Sequence, residues 1–104
     1  MAFRTKETRK LTVYVEGQLI SLNRLELKEI VSRAMAKKWL RKLVLDFARC
    51  GYIDSSGLGT LISISRMARE NGVLLTLRGL NDDLRTLFEL NKLDTIFDFE
   101  DHRA

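Results

Sequence analysis

The stretch from Leu43 to Ile62, LVLDFARCGYIDSSGLGTLI, constrains this chain more than any other. Leu43, Val44, Leu45 and Phe47 form a nearly unbroken apolar run, the pattern of a strand covered on both faces in a parallel sheet. Leu58, Leu61, Ile62, Met67 and Ala68 then give a helix one broad apolar face, closed at Asn71 and Gly72, where glycine takes the left-handed conformation that ends helices. Between the two lie Asp54, Ser55, Ser56, Gly57, Leu58 and Gly59. A loop that leaves the carboxyl end of a buried strand and opens a helix is where α/β proteins commonly place ligands and reactive groups.

The flanking sequence supplies the rest of such a fold. Leu11, Val13 and Val15 alternate with Thr12, Tyr14 and Glu16, the period of a half-buried strand, here at or near a sheet edge and ended by Gly17. Asn23 and Glu26 resemble a helix-capping pair, and Leu27, Ile30, Val31 and Ala34 recur at helical spacing. The spacing predicts a helix from about Leu22 to Trp39, with Lys28, Arg33 and Lys37 facing water. Val73 to Leu77 read as a second buried strand. Asn81 caps a helix from Asp82 to about Leu90, with the two aspartates meeting its unpaired amides. Ile96, Phe97 and Phe99 suggest a last short strand before the charged tail Glu100 to Arg103. The predicted fold is therefore α/β, a mainly parallel sheet of four to five strands with helices alternating along the chain.

With 104 residues there is room for one core. No segment approaches the about 18 apolar residues of a membrane span, and the single Cys50 cannot form an internal disulfide, so the cytoplasm is the expected compartment. Charge is uneven: residues 1–42 carry 11 Lys or Arg against 4 Asp or Glu, and residues 43–104 carry 7 against 10. The basic half suits a solvated helix face, or contact with nucleic acid, an anionic membrane surface or an acidic protein. Around Arg33, Lys37, Lys38, Arg41 and Lys42 only Trp39 is aromatic, so no stacking platform for nucleic acid is indicated.

The loop chemistry leaves two readings open. Ser55 or Ser56 can cap the following helix. Gly57 and Gly59 each cost a helix about 1 kcal/mol relative to alanine, so something must approach the backbone there, either a partner or the sheet itself. Catalysis is disfavoured. A hydrolytic serine needs a base held by a third group, and the only histidine, His102, lies in the tail. One cysteine and one histidine cannot build a structural zinc site, and neither the GxSxG elbow nor the phosphate-loop pattern occurs.

The segment Tyr52-Ile53-Asp54-Ser55-Ser56-Gly57-Leu58-Gly59-Thr60 resembles the signature of the STAS domain, particularly that of bacterial anti-sigma factor antagonists. Val73 to Leu77 with Gly79, Leu80, Leu84, Leu87, Phe88, Leu93, Ile96 and Phe97 resembles the later part of that family, and Leu11 to Leu19 its opening. The resemblance implies one STAS domain over residues 1–104, with an ordered core at about 9–99. It implies a cytoplasmic regulator without catalytic activity or cofactor of its own, which works by partner switching. Such proteins bind an anti-sigma factor that is also a serine kinase carrying ATP, and so release a sigma factor. The kinase phosphorylates a loop serine and a serine phosphatase restores binding; nucleic acid and membrane insertion play no part.

The serine that follows the aspartate is the family's phosphorylated one, which places the modification at Ser55, with Ser56 as second choice. Partner contact is then expected at Asp54, Ser55, Ser56, Gly57, Leu58, Gly59 and Thr60. It continues along an outward stripe of Thr60, Ser63, Arg66, Met67 and Glu70, in which Met67 suits the core as well as the surface. The chain departs from the family at Gly17-Gln18-Leu19-Ile20, where many members carry acidic residues. It departs again at Asn91-Lys92 in place of a small glycine turn, where asparagine tolerates the left-handed conformation and the fold is not threatened. The alternative role is a structural STAS subunit of a larger signalling assembly or of a membrane transport complex.

Overall fold

The computed structural model describes residues 9–101. Four strands form the main sheet: β1 (Lys10–Tyr14), β3 (Lys42–Asp46), β5 (Leu74–Arg78) and β6 (Asp98–Glu100), in the order β1-β3-β5-β6 and parallel throughout. A second, two-stranded parallel sheet pairs β2 (Gly17–Leu19) with β4 (Cys50–Ile53). Three helices alternate with the strands: α1 (Arg24–Met35), α2 (Ser55–Glu70) and α3 (Asp82–Leu90). The α/β class and the parallel main sheet are as the sequence predicts, and β1 is at the edge.

Strand alternation explains where the core sits. Leu11, Leu43 and Leu75 align across three strands, as do Val13, Leu45 and Leu77. These rows face one way, since successive side chains point to opposite faces. They meet Leu27, Val31 and Ala34 of α1, Leu58, Leu61, Ile64 and Ala68 of α2, and Leu84 and Phe88 of α3 in one cluster. Val44 and Thr76, on the other face, are also buried, so β3 is covered on both sides as its composition implies.

Several expectations need correction. α1 ends at Met35 rather than near Trp39: the chain turns through Ala36 so that Leu40 can enter the core, and Trp39 stays half exposed. Asn23 precedes α1 without capping it. Its Oδ1 accepts from the amide of Ile20 at 2.9 Å and its Nδ2 donates to the carbonyl of Gln18 at 2.8 Å, tying the β2–α1 loop to itself. β1 already ends at Tyr14, and Gly17, with φ +80, begins the next strand instead of closing the first. After α3 the left-handed residue is Lys92, at φ 57, and Asn91 keeps a negative φ. Asn91 instead donates its side-chain amide to the carbonyl of Leu87 at 2.8 Å. The last strand is Asp98–Glu100, two residues later than its aromatic signal. The basic N-terminal residues 1–8 and His102 lie outside the described residues.

Candidate functional site at the start of α2

The serine loop does not leave the main sheet directly. β3 ends at Asp46, a turn follows, and β4 carries the chain from Cys50 to Ile53 before Asp54. The loop is therefore anchored by the small sheet: the amide of Asp54 donates to the carbonyl of Leu19 at 3.1 Å, at the end of β2. β2 and β4 pair across more than thirty residues of sequence, a register invisible to local periodicity.

Asp54, not a serine, caps α2. Its Oδ1 accepts from the amide of Gly57 at 2.7 Å, and its Oδ2 accepts from the amide of Ser21 at 3.0 Å. One carboxylate thus satisfies an orphan helix amide and clasps the loop ahead of α1. Both serines are released from capping. Ser55, the first residue of α2, is exposed; Ser56 is half-buried.

The two glycines differ. A side chain on Gly57 would collide with the carbonyl oxygen of Leu19 and reach Ile53 Cγ2 at 3.0 Å, so here the approaching backbone is the protein's own. A side chain on Gly59 would meet nothing within 4 Å, and Gly59 is exposed. Of the expected contact residues, Gly57, Leu58 and Thr60 are buried, whereas Ser55, Gly59 and Arg66 are exposed and Ser63 is half-buried. Thr60, expected outward, is only 3% exposed because α1 lies along that side of α2. Met67 packs against the core, and its sulfur accepts from the hydroxyl of Ser32 on α1 at 3.7 Å.

Two depressions flank the loop. A groove of about 500 Å³ runs between the start of α2 and α3, with Tyr52, Ser55, Leu58, Asp83 and Leu87 on its walls. A cleft of about 240 Å³ on the opposite side brings Ser56, Gly59, Thr60 and Ser63 to Arg24 and Lys28 of α1. Ser21, Arg24 and Lys28 reach the site only through the fold. The signal that could have found them is Arg24 itself, a cation opening a helix, where positive charge is unfavourable.

A family model of the STAS domain matches residues 2–104. The chain belongs to the STAS domain family. Among curated proteins it is similar to an anti-sigma-B factor antagonist of Listeria monocytogenes, with 27% identity over 95 residues, covering 91% of this chain and 82% of that protein. Among solved structures it resembles the Thermotoga maritima protein TM1081, with a TM-score of 0.84 at 21% identity over 94% of this chain and 84% of the other. It also resembles the anti-sigma factor antagonist SpoIIAA in its unphosphorylated form, with a TM-score of 0.73 at 15% identity over 97% and 86%. At these identities the solved structures establish the STAS fold. No helix among the described residues is long and apolar enough to cross a membrane.

Proposed function

We propose that this STAS protein is an anti-sigma factor antagonist. It binds a serine-kinase anti-sigma factor, frees the sigma factor for transcription, and is switched off when the kinase phosphorylates Ser55. In that step the γ-phosphoryl of ATP held by the kinase passes to Ser55 Oγ, the hydroxyl proton is released, and ADP stays with the kinase. A phosphatase returns the serine and frees phosphate.

The observation that carries this reading is that Asp54 caps α2 in place of the serine after it, leaving Ser55 exposed on a rigid helix start. A hydroxyl so placed is accessible to another protein's active site, and among the described residues it has no hydrogen bond that modification would break. Support comes from the Listeria relative, named for antagonism of an anti-sigma factor. The phosphate would add about −1.5 to −2 charge at neutral pH. Helix amides favour that charge, while Asp54 and Asp83 oppose it, so the fold is kept and the surface changes. Contact centres on Ser55, Gly59, Ser63 and Arg66, with no catalytic group supplied by this chain.

Incubation with the kinase-type anti-sigma factor of the same genome and ATP, followed by mapping of the phosphate, tests the proposal. Modification at Ser55, with loss of the complex on modification, is expected. A protein that neither binds the kinase nor accepts phosphate at Ser55 or Ser56 would overturn it.

A further inference from the structure

Ser55 and Ser56 are adjacent, yet their surroundings have opposite charge. Ser55 opens on the groove that contains Asp83. Ser56 opens on the cleft whose far wall is Arg24 and Lys28.

Three features of that cleft lack an explanation in the fold. The side chains of Arg24 and Lys28 are both half-buried, and neither side chain has a hydrogen bond or ion pair among the described residues. Two cations four residues apart at the start of a helix repel each other and the positive helix end. The same spacing later in α1 is used for attraction, by Glu29 and Arg33 at 2.6 Å. Finally, Thr60 lies in the cleft 3% exposed, and its Oγ1 is buried without a hydrogen-bond partner. A buried hydroxyl left unpaired is costly, and native proteins carry few of them. Unpaired cations, an unpaired buried hydroxyl and the first turn of α2 converge on one space. At about 240 Å³ it has room for about eight waters of about 30 Å³ each.

We propose that the α1–α2 cleft is a binding site for a phosphate monoester. Arg24 and Lys28 supply the counter-charge, and the hydroxyls of Thr60 and Ser63 donate to the phosphate oxygens. The phosphate is either borne by Ser56, placed there by the same transfer from ATP, or carried by a ligand arriving from solution. Gly59 keeps the mouth of the cleft open. The inference goes beyond the antagonist reading, and its tests need neither kinase nor anti-sigma factor, so the two can fail separately.

Two measurements distinguish the sources. In the first, phosphoserine is incorporated during translation at position 56, and in a second preparation at position 55, and each phosphate is titrated with pH by phosphorus NMR. The phosphate at 56 is expected to lose its second proton about half a unit or more below that at 55. This is less than the 1 to about 3 units of close contact with an opposite charge, because the cations are only half-buried. The gap should close in Arg24→Gln/Lys28→Gln. In the second, the unmodified full chain is titrated with inorganic phosphate and the amides of Gly59 and Ser63 are followed. Saturable shifts, lost in the same double variant, assign the site to a ligand from solution. Thr60→Val should weaken whichever phosphate is held without lowering Tm, since it removes an unpaired buried hydroxyl. The proposal is overturned if phosphates at 55 and 56 titrate alike, or differ independently of Arg24 and Lys28, and inorganic phosphate gives no saturable shift.

Discussion

The carboxylate of Asp54 accepts a hydrogen bond from the backbone amide of Ser21 at 3.0 Å, joining two loops that lie 33 residues apart. Because the other oxygen caps α2 through Gly57, one side chain fixes both the helix start and the loop that leads into α1. Asp54→Ala should lower stability by about 1 to 2 kcal/mol, the cost of losing an N-cap. Denaturant unfolding measures it, and Asp54→Asn, which keeps one acceptor oxygen for the Gly57 amide but turns an NH2 donor toward the Ser21 amide, should recover only part of the loss.

Gly57→Ala and Gly59→Ala should have opposite signs. At Gly57 the added carbon meets the Leu19 backbone and cannot be relieved by a rotamer change, so α2 must shift from β2 and Tm falls by several degrees. At Gly59 the space is open, and alanine should stabilise the helix by up to about 1 kcal/mol. Thermal unfolding of the two variants side by side checks both. If Gly59 serves partner access, Gly59→Ala will bind the anti-sigma factor more weakly despite its higher Tm.

These two glycines also mark how far the sequence is legible. Buried strands such as Leu74–Arg78 and the capped helix after Asn81 announce themselves through alternation, apolar runs and Asx caps, all local signals. β2 and β4 do not, since three and four residues carry too little period and their pairing spans distant sequence. Once that pairing is hidden, so is the reason for Gly57, and a packing glycine cannot be told from an access glycine. The same holds for Arg24 and Lys28, whose proximity to Ser56 exists only after α1 docks along α2.

At the carboxyl end of the main sheet, Asp46 accepts from Arg78 Nε at 2.9 Å, with the two side chains 2% and 17% exposed. Arg78→Met should cost about 3 kcal/mol, near the lower end for breaking a buried pair, because Asp46 still accepts from the Ala48 amide. The hydrogen bond to Asp46 holds the guanidinium pKa above its ordinary value. That contribution is fully present below the ordinary arginine pKa and is lost only above it, so across the handling range the guanidinium stays charged. Wild type and variant should therefore keep a constant stability difference between about pH 6 and 9, as read by denaturant midpoints at matched salt.

Burial raises the Cys50 thiol above its ordinary pKa, against smaller opposing hydrogen bonds from backbone groups at Tyr52 and Leu19. A raised thiol pKa favours the fold below the ordinary thiol range. As pH climbs past that range the unfolded chain loses its proton first, and stability falls until the folded thiol ionises too. Cys50 is 3% exposed, so native protein should react with an aromatic disulfide reagent only as fast as it opens, and at once in denaturant. Cys50→Ser should flatten the alkaline fall in stability.

Ser55 separates folding from function most cleanly. Ser55→Ala removes an exposed hydroxyl without a partner among the described residues and should change stability by no more than about 0.5 kcal/mol. It should abolish phosphorylation at that position while preserving the complex. Ser55→Asp puts a carboxylate in the first turn of α2, where the helix end favours negative charge by about 0.3 to 1 kcal/mol. Stability should hold or rise, yet binding should weaken by about tenfold or more, equivalent to about 1.4 kcal/mol, because the charge must be desolvated against the partner. Calorimetry of unfolding and of binding on the same preparations reads the two effects. An aspartate variant that loses both stability and binding would mean that Ser55 supports α2 rather than the interface.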